Sequence, residues 1–230
     1  MQSELSPQFK CNFCGKSYRR ETTLFAHSCE KKRRKEQENE RGVQLGYRTY
    51  LRFYKIKQNK QTPPTYQEFM ESQFYIAFVK FGRHIKMISA KKPEKYIDFV
   101  INSGKKLDKW CSDALYEDYL IDMLRKENPS DTLHRAFETM IRWADTHEGE
   151  WYHYFKYAAP SVICNDILRG DISPWVLYNC DSGQECLGSF NADHVGMVFR
   201  YIDPDYWMKR FDNYISDVEY MKTMLKEARL

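Results

Sequence analysis

The chain is poor in glycine and proline, with 10 and 8 residues among 230, and it has no low-complexity stretch. Those shortages argue against a disordered chain. No apolar run approaches the roughly 18–20 residues that span a membrane, so a membrane protein is not expected. The opening residues MQSELSPQFK lack a basic segment followed by an apolar one, so a secretory leader is not expected either. There is no G-x-x-x-x-G-K-[ST] phosphate loop, no G-x-G-x-x-G turn and no G-x-S-x-G elbow. No nucleotide cofactor is therefore expected, and no motor or dinucleotide chemistry of those kinds. Strand and helix patterns do not alternate, and no internal repeat is found, which argues against a parallel sheet.

What is present is aromatic and charged: 16% Phe, Trp and Tyr, and 30% Asp, Glu, Lys and Arg. That balance belongs to a packed globular chain rather than a disordered one. The seven cysteines are an odd number, and with no leader they are expected as free thiols in a reducing cytosol or nucleus. The net charge of +4 conceals an asymmetry. Residues 1–109 carry 24 Lys and Arg against 11 Asp and Glu, a balance of +13; residues 110–230 carry 12 against 21, a balance of −9. A basic first half suggests a polyanionic partner.

Chemistry is most legible in residues 9–29, FKCNFCGKSYRRETTLFAHSC. Cys11 and Cys14 are two residues apart, twelve residues lead to His27, and Cys29 follows. Two thiolates on a tight knuckle and an imidazole form a soft set suited to tetrahedral zinc. The next His or Cys after Cys29 is His84, so Cys29 is the local candidate for fourth ligand. A piece this short cannot bury enough apolar surface to fold unaided. Metal binding can supply the missing stability, about 10–16 kcal/mol.

The pattern aromatic-x-C-x2-C-x3-aromatic-x5-L-x2-H, carried here by Phe9, Cys11, Cys14, Tyr18, Leu24 and His27, resembles the zinc finger of two strands and a helix. The resemblance covers about a tenth of the chain and implies a ββα fold with Phe9, Tyr18 and Leu24 as a miniature core. It implies base-edge contacts from Arg20, Thr22, Thr23 and Ala26. One departure is plain: Cys29 lies two residues after His27, about 200° around a helix, so the helix must break for Cys29 to reach the metal. A lone finger also covers little surface, since single modules bury only about 600–1,000 Å² on DNA. It serves equally well as a protein-docking element.

Lys31, Lys32, Arg33, Arg34 and Lys35 follow the finger as an unbroken basic run. They read as phosphate contacts beside the finger or as a solvated helical hinge. With Arg19, Arg20 and Thr23 they are the candidate nucleic-acid-binding residues. In residues 43–61, Tyr47, Tyr50, Leu51 and Tyr54 fall at helical spacing between Arg48, Arg52, Lys55 and Lys57. The plainer reading there is an amphipathic helix that sends its aromatics into a core; base stacking is the other.

The remainder reads as helices. Thr65 and Glu68 predict a capping box before one or two helices over 65–88. Pro93 and Gly104 bracket a short helix. A longer one is predicted over 107–127, stopped by Pro129, then another capped by Ser130 or Asp131 and running to about His147. Residues 150–186 predict short helices joined by turns. Helices are also expected from Asn191, from Pro204, and from a capping box at Ser216 and Glu219. The expected architecture is mostly α: a zinc finger over 1–30, a basic helical linker over 31–61, and an all-α domain over 62–230 with an acidic C-terminal half.

Three other sets of metal-binding side chains have plainer explanations. His147, Glu148, Glu150 and His153 fit no metalloprotease helix spacing, and Gly149 interrupts them. Cys164, Cys180, Cys186 and His194 have irregular separations, as buried thiols do. Asp113, Glu117, Asp118 and Asp122 read as an exposed acidic helix face rather than a two-metal nuclease site. The leading expectation is a nucleic-acid-associated accessory protein, with DNA favoured over RNA. The finger and basic run bind the nucleic acid, and the helical domain meets protein partners in replication, repair or transcription. The alternatives are an interaction protein that docks its finger in a larger assembly, such as a viral one, and a metal-dependent enzyme acting on nucleic acid.

Overall fold

The computed structural model describes residues 9–58 and 62–230; expectations that fall on residues 1–8 and 59–61 lie outside them. The fold is mostly α, with one two-stranded sheet near the N-terminus. β1 (Phe9–Lys10) pairs antiparallel with β2 (Ser17–Tyr18), Phe9 opposite Tyr18, and α1 (Glu21–Phe25) follows. Then come α2 (Glu30–Glu36), α3 (Arg41–Gln58), α4 (Tyr66–Glu71), α5 (Tyr75–Met87), α6 (Pro93–Asn102) and α7 (Asp113–Lys126). Next are α8 (Pro129–Ala144), α9 (Tyr154–Tyr157), α10 (Pro160–Leu168), α11 (Pro174–Leu177) and α12 (Asp181–Gly188). The chain closes with α13 (Ala192–Ile202), α14 (Pro204–Asn213) and α15 (Ile215–Glu227). No described helix is long and apolar enough to cross a membrane.

Five of the eight prolines are placed where helices begin. Pro93, Pro129, Pro160, Pro174 and Pro204 each stand in the first turn of a helix, where the missing N–H has no intrahelical acceptor to lose. The predicted Thr65 box is present: Thr65 Oγ1 accepts from Glu68 N, and Glu68 Oε2 accepts from Thr65 N at 2.6 Å. Gly104 at φ +69° follows α6, as a helix stop in the left-handed region requires.

Several boundaries differ from the sequence reading. Pro129 does more than stop α7: it opens α8, and Asn128 rather than Ser130 or Asp131 is the cap, its Oδ1 accepting from Asp131 N at 2.8 Å. Helix α8 ends at Ala144, short of His147. The long helix expected from 107 begins only at Asp113. Before it, Trp110 is buried against Phe78 and Phe81 and donates from Nε1 to Lys105 O, holding residues 107–109 in a separate 3-10 turn. No box forms at Ser216. The chain turns at Tyr214, so Ser216 already lies inside α15.

The chain divides into two compact units, one up to Leu115 and one from Tyr116 onward. The division follows the charge. The first unit carries 24 Lys and Arg against 12 Asp and Glu, the second 12 against 20.

The first unit is organised on α3 and α5. Tyr50 is buried and meets Phe69 and Phe78, while Arg52 faces outward and pairs with Asp98 through two hydrogen bonds of 2.5 and 2.7 Å. The aromatics of α3 therefore enter the core, as an amphipathic helix demands. The two helices approach closely because Gly42 and Gly46 face Gly82. In the second unit the core collects Met140, Tyr154, Ile167, Trp175, Trp207 and Leu225. Glu127, almost wholly buried, is held by both terminal nitrogens of Arg135 at 2.6 and 2.7 Å.

Candidate metal centre

Cys11, Cys14, His27 and Cys29 converge: one donor atom from each lies within 4.8 Å of all the others. Donors bound tetrahedrally at about 2.0–2.3 Å stand some 3.5–3.8 Å apart, so a contraction of about 1 Å at most brings the four onto one ion. The hairpin supplies the first two. Cys11 N donates to Lys16 O at 2.9 Å and Gly15 N to Cys11 O at 2.8 Å, and Gly15 takes φ +75° to turn the knuckle. The Cys11 thiol is drawn below its ordinary value by the backbone N–H of Cys14 and then that of Phe13, which favour its thiolate.

The helix breaks earlier than ligation of Cys29 alone requires. Helix α1 ends at Phe25, two residues before His27. Cys29 adopts extended backbone (φ −104°, ψ 161°) and caps α2, its Sγ accepting from Lys32 N at 3.4 Å. One sulfur thus completes the group of four donors and caps the basic helix.

His27 is oriented by Tyr18. Its Nε2 lies 3.3 Å from Cys14 Sγ, and its Nδ1 lies 2.7 Å from Tyr18 Oη. A metal on Nε2 requires the neutral ring to carry its proton on Nδ1, which then donates to Tyr18 Oη. The sequence reading gave Tyr18 only a core role. Its hydroxyl, the one thing that separates it from Phe at that position, was the overlooked signal. Replacing Tyr18 by Phe keeps the ring but removes this support, and we expect about tenfold weaker metal binding in competition with a chromophoric chelator.

The sequence-predicted cations fall into two groups. In α2, Lys32 pairs with Glu36, both Arg33 and Arg34 pair with Glu30, and Lys35 pairs with Glu38. Arg34 is also inserted inward: it donates to Met70 O and lies over the Tyr75 ring, 4.3 Å from its centroid. By contrast Lys10, Lys16, Arg19, Arg20 and Lys31 form no ion pair among the described residues. Thr23 is exposed on α1.

Among the described residues the four side chains of the N-terminal segment are the one group of three or more His, Cys, Asp or Glu gathered to hold a metal. His147 stacks on Trp143, with ring centroids 5.0 Å apart, and bonds its carbonyl; His153 packs on Tyr152 and Tyr157. Cys164, Cys180 and Cys186 are buried thiols pushed up by burial, Cys186 to about 12. His194 serves the cap of α13, its N–H bonded to Asn191 Oδ1 at 2.9 Å. Glu117 and Asp118 bind Arg200 at 2.7 and 2.8 Å, and Asp122 binds Lys126.

Comparison with family models, with curated proteins and with solved structures finds no match to this chain.

Proposed function

We propose that residues 9–29 form a zinc-bound finger and that the chain is a nucleic-acid-associated accessory protein. Its acidic unit meets protein partners in replication, repair or transcription. The observation that carries this reading is the convergence of three thiols and an imidazole in a segment whose cations form no ion pair with a carboxylate among the described residues. Zinc suits that donor set: soft sulfur with one nitrogen, in a number that closes a tetrahedron. Three thiolates and a neutral imidazole on a divalent ion leave a charge of −1. Lys10, Lys16, Arg19 and Arg20, with Glu21 against them, make residues 9–29 positive overall. Apart from that of the inserted Arg34, the i,i+3 and i,i+4 ion pairs of the basic run are surface pairs of roughly 0.3–0.5 kcal/mol, weak enough to exchange for phosphate.

The test is anisotropy of labelled oligonucleotides across a salt series, with and without zinc chelation. We expect log K to fall with log salt at a slope of about −3 to −5, as for four or five neutralised phosphates. Chelation should flatten the slope and weaken binding. No salt-sensitive binding to any single or double strand at low salt would defeat the reading.

The outcome would then favour a protein-docking finger, which one observation supports. A groove of about 220 Å³ opens beside the knuckle, lined by Phe13, Lys31, Lys35, Gln67, Met70 and Glu71 among others. Phe13, 43% exposed, stands at its edge as an apolar contact.

A further inference from the structure

The helix of the finger is short, and its largest apolar side chain is left outside. Helix α1 spans five residues, about 7.5 Å and less than one and a half turns. It is too short to lie along a major groove as a reading helix. Leu24 turns half-buried toward the hairpin, so Phe25, some 100° further round, turns away from it. Phe25 is 88% exposed, the most exposed of the large apolar side chains described, and meets no other ring among the described residues.

A single exposed apolar residue is ordinary on most surfaces. Here it stands on a module whose core is only half-buried at Phe9, Tyr18 and Leu24, and which could have used the ring inside. Two cations that form no ion pair among the described residues precede its helix. Arg20 is the cap residue of α1 and Arg19 precedes it. Glu21, one turn before Phe25 on the same face, disfavours a phosphate on that side and leaves Arg19 and Arg20 to take it.

We propose that Phe25 is a stacking platform for a base of single-stranded DNA, with Arg19 and Arg20 binding the adjacent phosphates. This rests on the nucleic-acid reading above and narrows it. An aromatic face combined with flanking cations is the chemistry that holds unpaired strands without reading their sequence. In a duplex the base faces are covered by their neighbours, so Phe25 gains nothing there. Neither contact uses a 2′-hydroxyl, so nothing in the site selects RNA over DNA, and the matching RNA strand is the control.

The experiment measures binding of the zinc-loaded full chain to a fluorescein-labelled mixed-sequence DNA strand, its duplex and the matching RNA strand. Wild type is compared with Phe25→Ala, Phe25→Leu and Phe25→Trp. The exposed side chain makes these variants fold-neutral, which retained zinc stoichiometry verifies. We expect Phe25→Ala to weaken single-strand binding about 5- to 100-fold, and duplex binding less than about twofold. Phe25→Leu should behave like Ala, because it lacks a π-face, and Phe25→Trp should restore affinity. Unchanged single-strand affinity in Phe25→Ala, with salt-sensitive binding intact, overturns this inference and spares the wider reading. Equal loss on duplex and single strand overturns it too, as does tighter binding of RNA than of DNA. Wild type that binds no nucleic acid overturns both.

Discussion

Replacing Cys11 by Ser should unfold the N-terminal module and leave the rest of the first unit standing. The expectation follows from how little else holds residues 9–29 together. Cys11 is the one buried residue among them, and α1 buries none. The hairpin contributes two residues per strand. Such a piece cannot offset the roughly 1–2 kcal/mol of backbone entropy per residue that ordering it costs. A structural zinc contributes about 10–16 kcal/mol in modules of this kind, and loss of one ligand removes most of it. Hydrogen exchange by mass spectrometry should show protection lost over residues 9–29 and kept over α3, α5 and α6, with the same pattern on chelation. Full protection of residues 9–29 in metal-free protein would mean that packing, not metal, folds the module.

Cys29 allows a finer separation. Its sulfur both faces the ligand set and caps α2. Cys29→Ser leaves a side-chain acceptor of the kind preferred at that position, whereas Cys29→Ala leaves none, a difference of about 1 kcal/mol in helix stability. Both variants lose the thiolate. Protection over α2 should therefore fall further in Cys29→Ala than in Cys29→Ser, while metal affinity falls alike in both.

The features legible in the sequence were those set by local chemistry. Ligand types and spacing located the cluster of four candidate metal donors, because a knuckle of two cysteines and a histidine twelve residues on leave few alternatives for what they can do together. Pro93, Pro204 and the Thr65–Glu68 pair marked helix starts, because those residues act within their own turn. What was not legible depended on distant packing. The start of α7 is set by Trp110, whose burial against Phe78 and Phe81 holds the preceding residues in a separate turn. The box at Ser216 failed because Tyr214, not Ser216, is where the chain changes direction. In the metal centre, the Tyr18 hydroxyl and the outward ring of Phe25 were overlooked because a family pattern records core positions and says nothing of what faces a ligand's far nitrogen or the solvent. The pairing of the basic run with Glu30, Glu36 and Glu38 was written at i,i+3 and i,i+4 spacing, and the run of cations drew attention from it.

Gly82→Ala should destabilise the first unit more than its one added methyl suggests. A Cβ on Gly82 would run into Gly42 O and Gly46 N and lie 2.9 Å from Gly46 Cα. On the opposite helix a Cβ on Gly46 would lie 2.7 Å from Phe78 O and 3.0 Å from Val79 Cα. Every one of these neighbours is backbone, so no side chain can swing aside, and α3 and α5 must separate. Val43, Tyr50, Phe78 and Ile85 are buried on these two helices, and separation loosens their contacts. Overpacking of a core typically costs about 1–3 kcal/mol. With backbone on both sides we expect the upper end or beyond, more than the roughly 1 kcal/mol that Ala gains over Gly in helix propensity. For a unit of this size that lowers Tm by more than about 10 °C, read from the near-UV circular dichroism of its aromatics. Gly188→Ala is the matched control: it lies at the end of α12 with open space around it, so the same substitution should be neutral or slightly stabilising there. If Gly82→Ala melted like wild type, α3 and α5 would have to sit further apart in solution than Gly42, Gly46 and Gly82 allow them to approach, and the close crossing would lose its place as the organising contact of the basic unit.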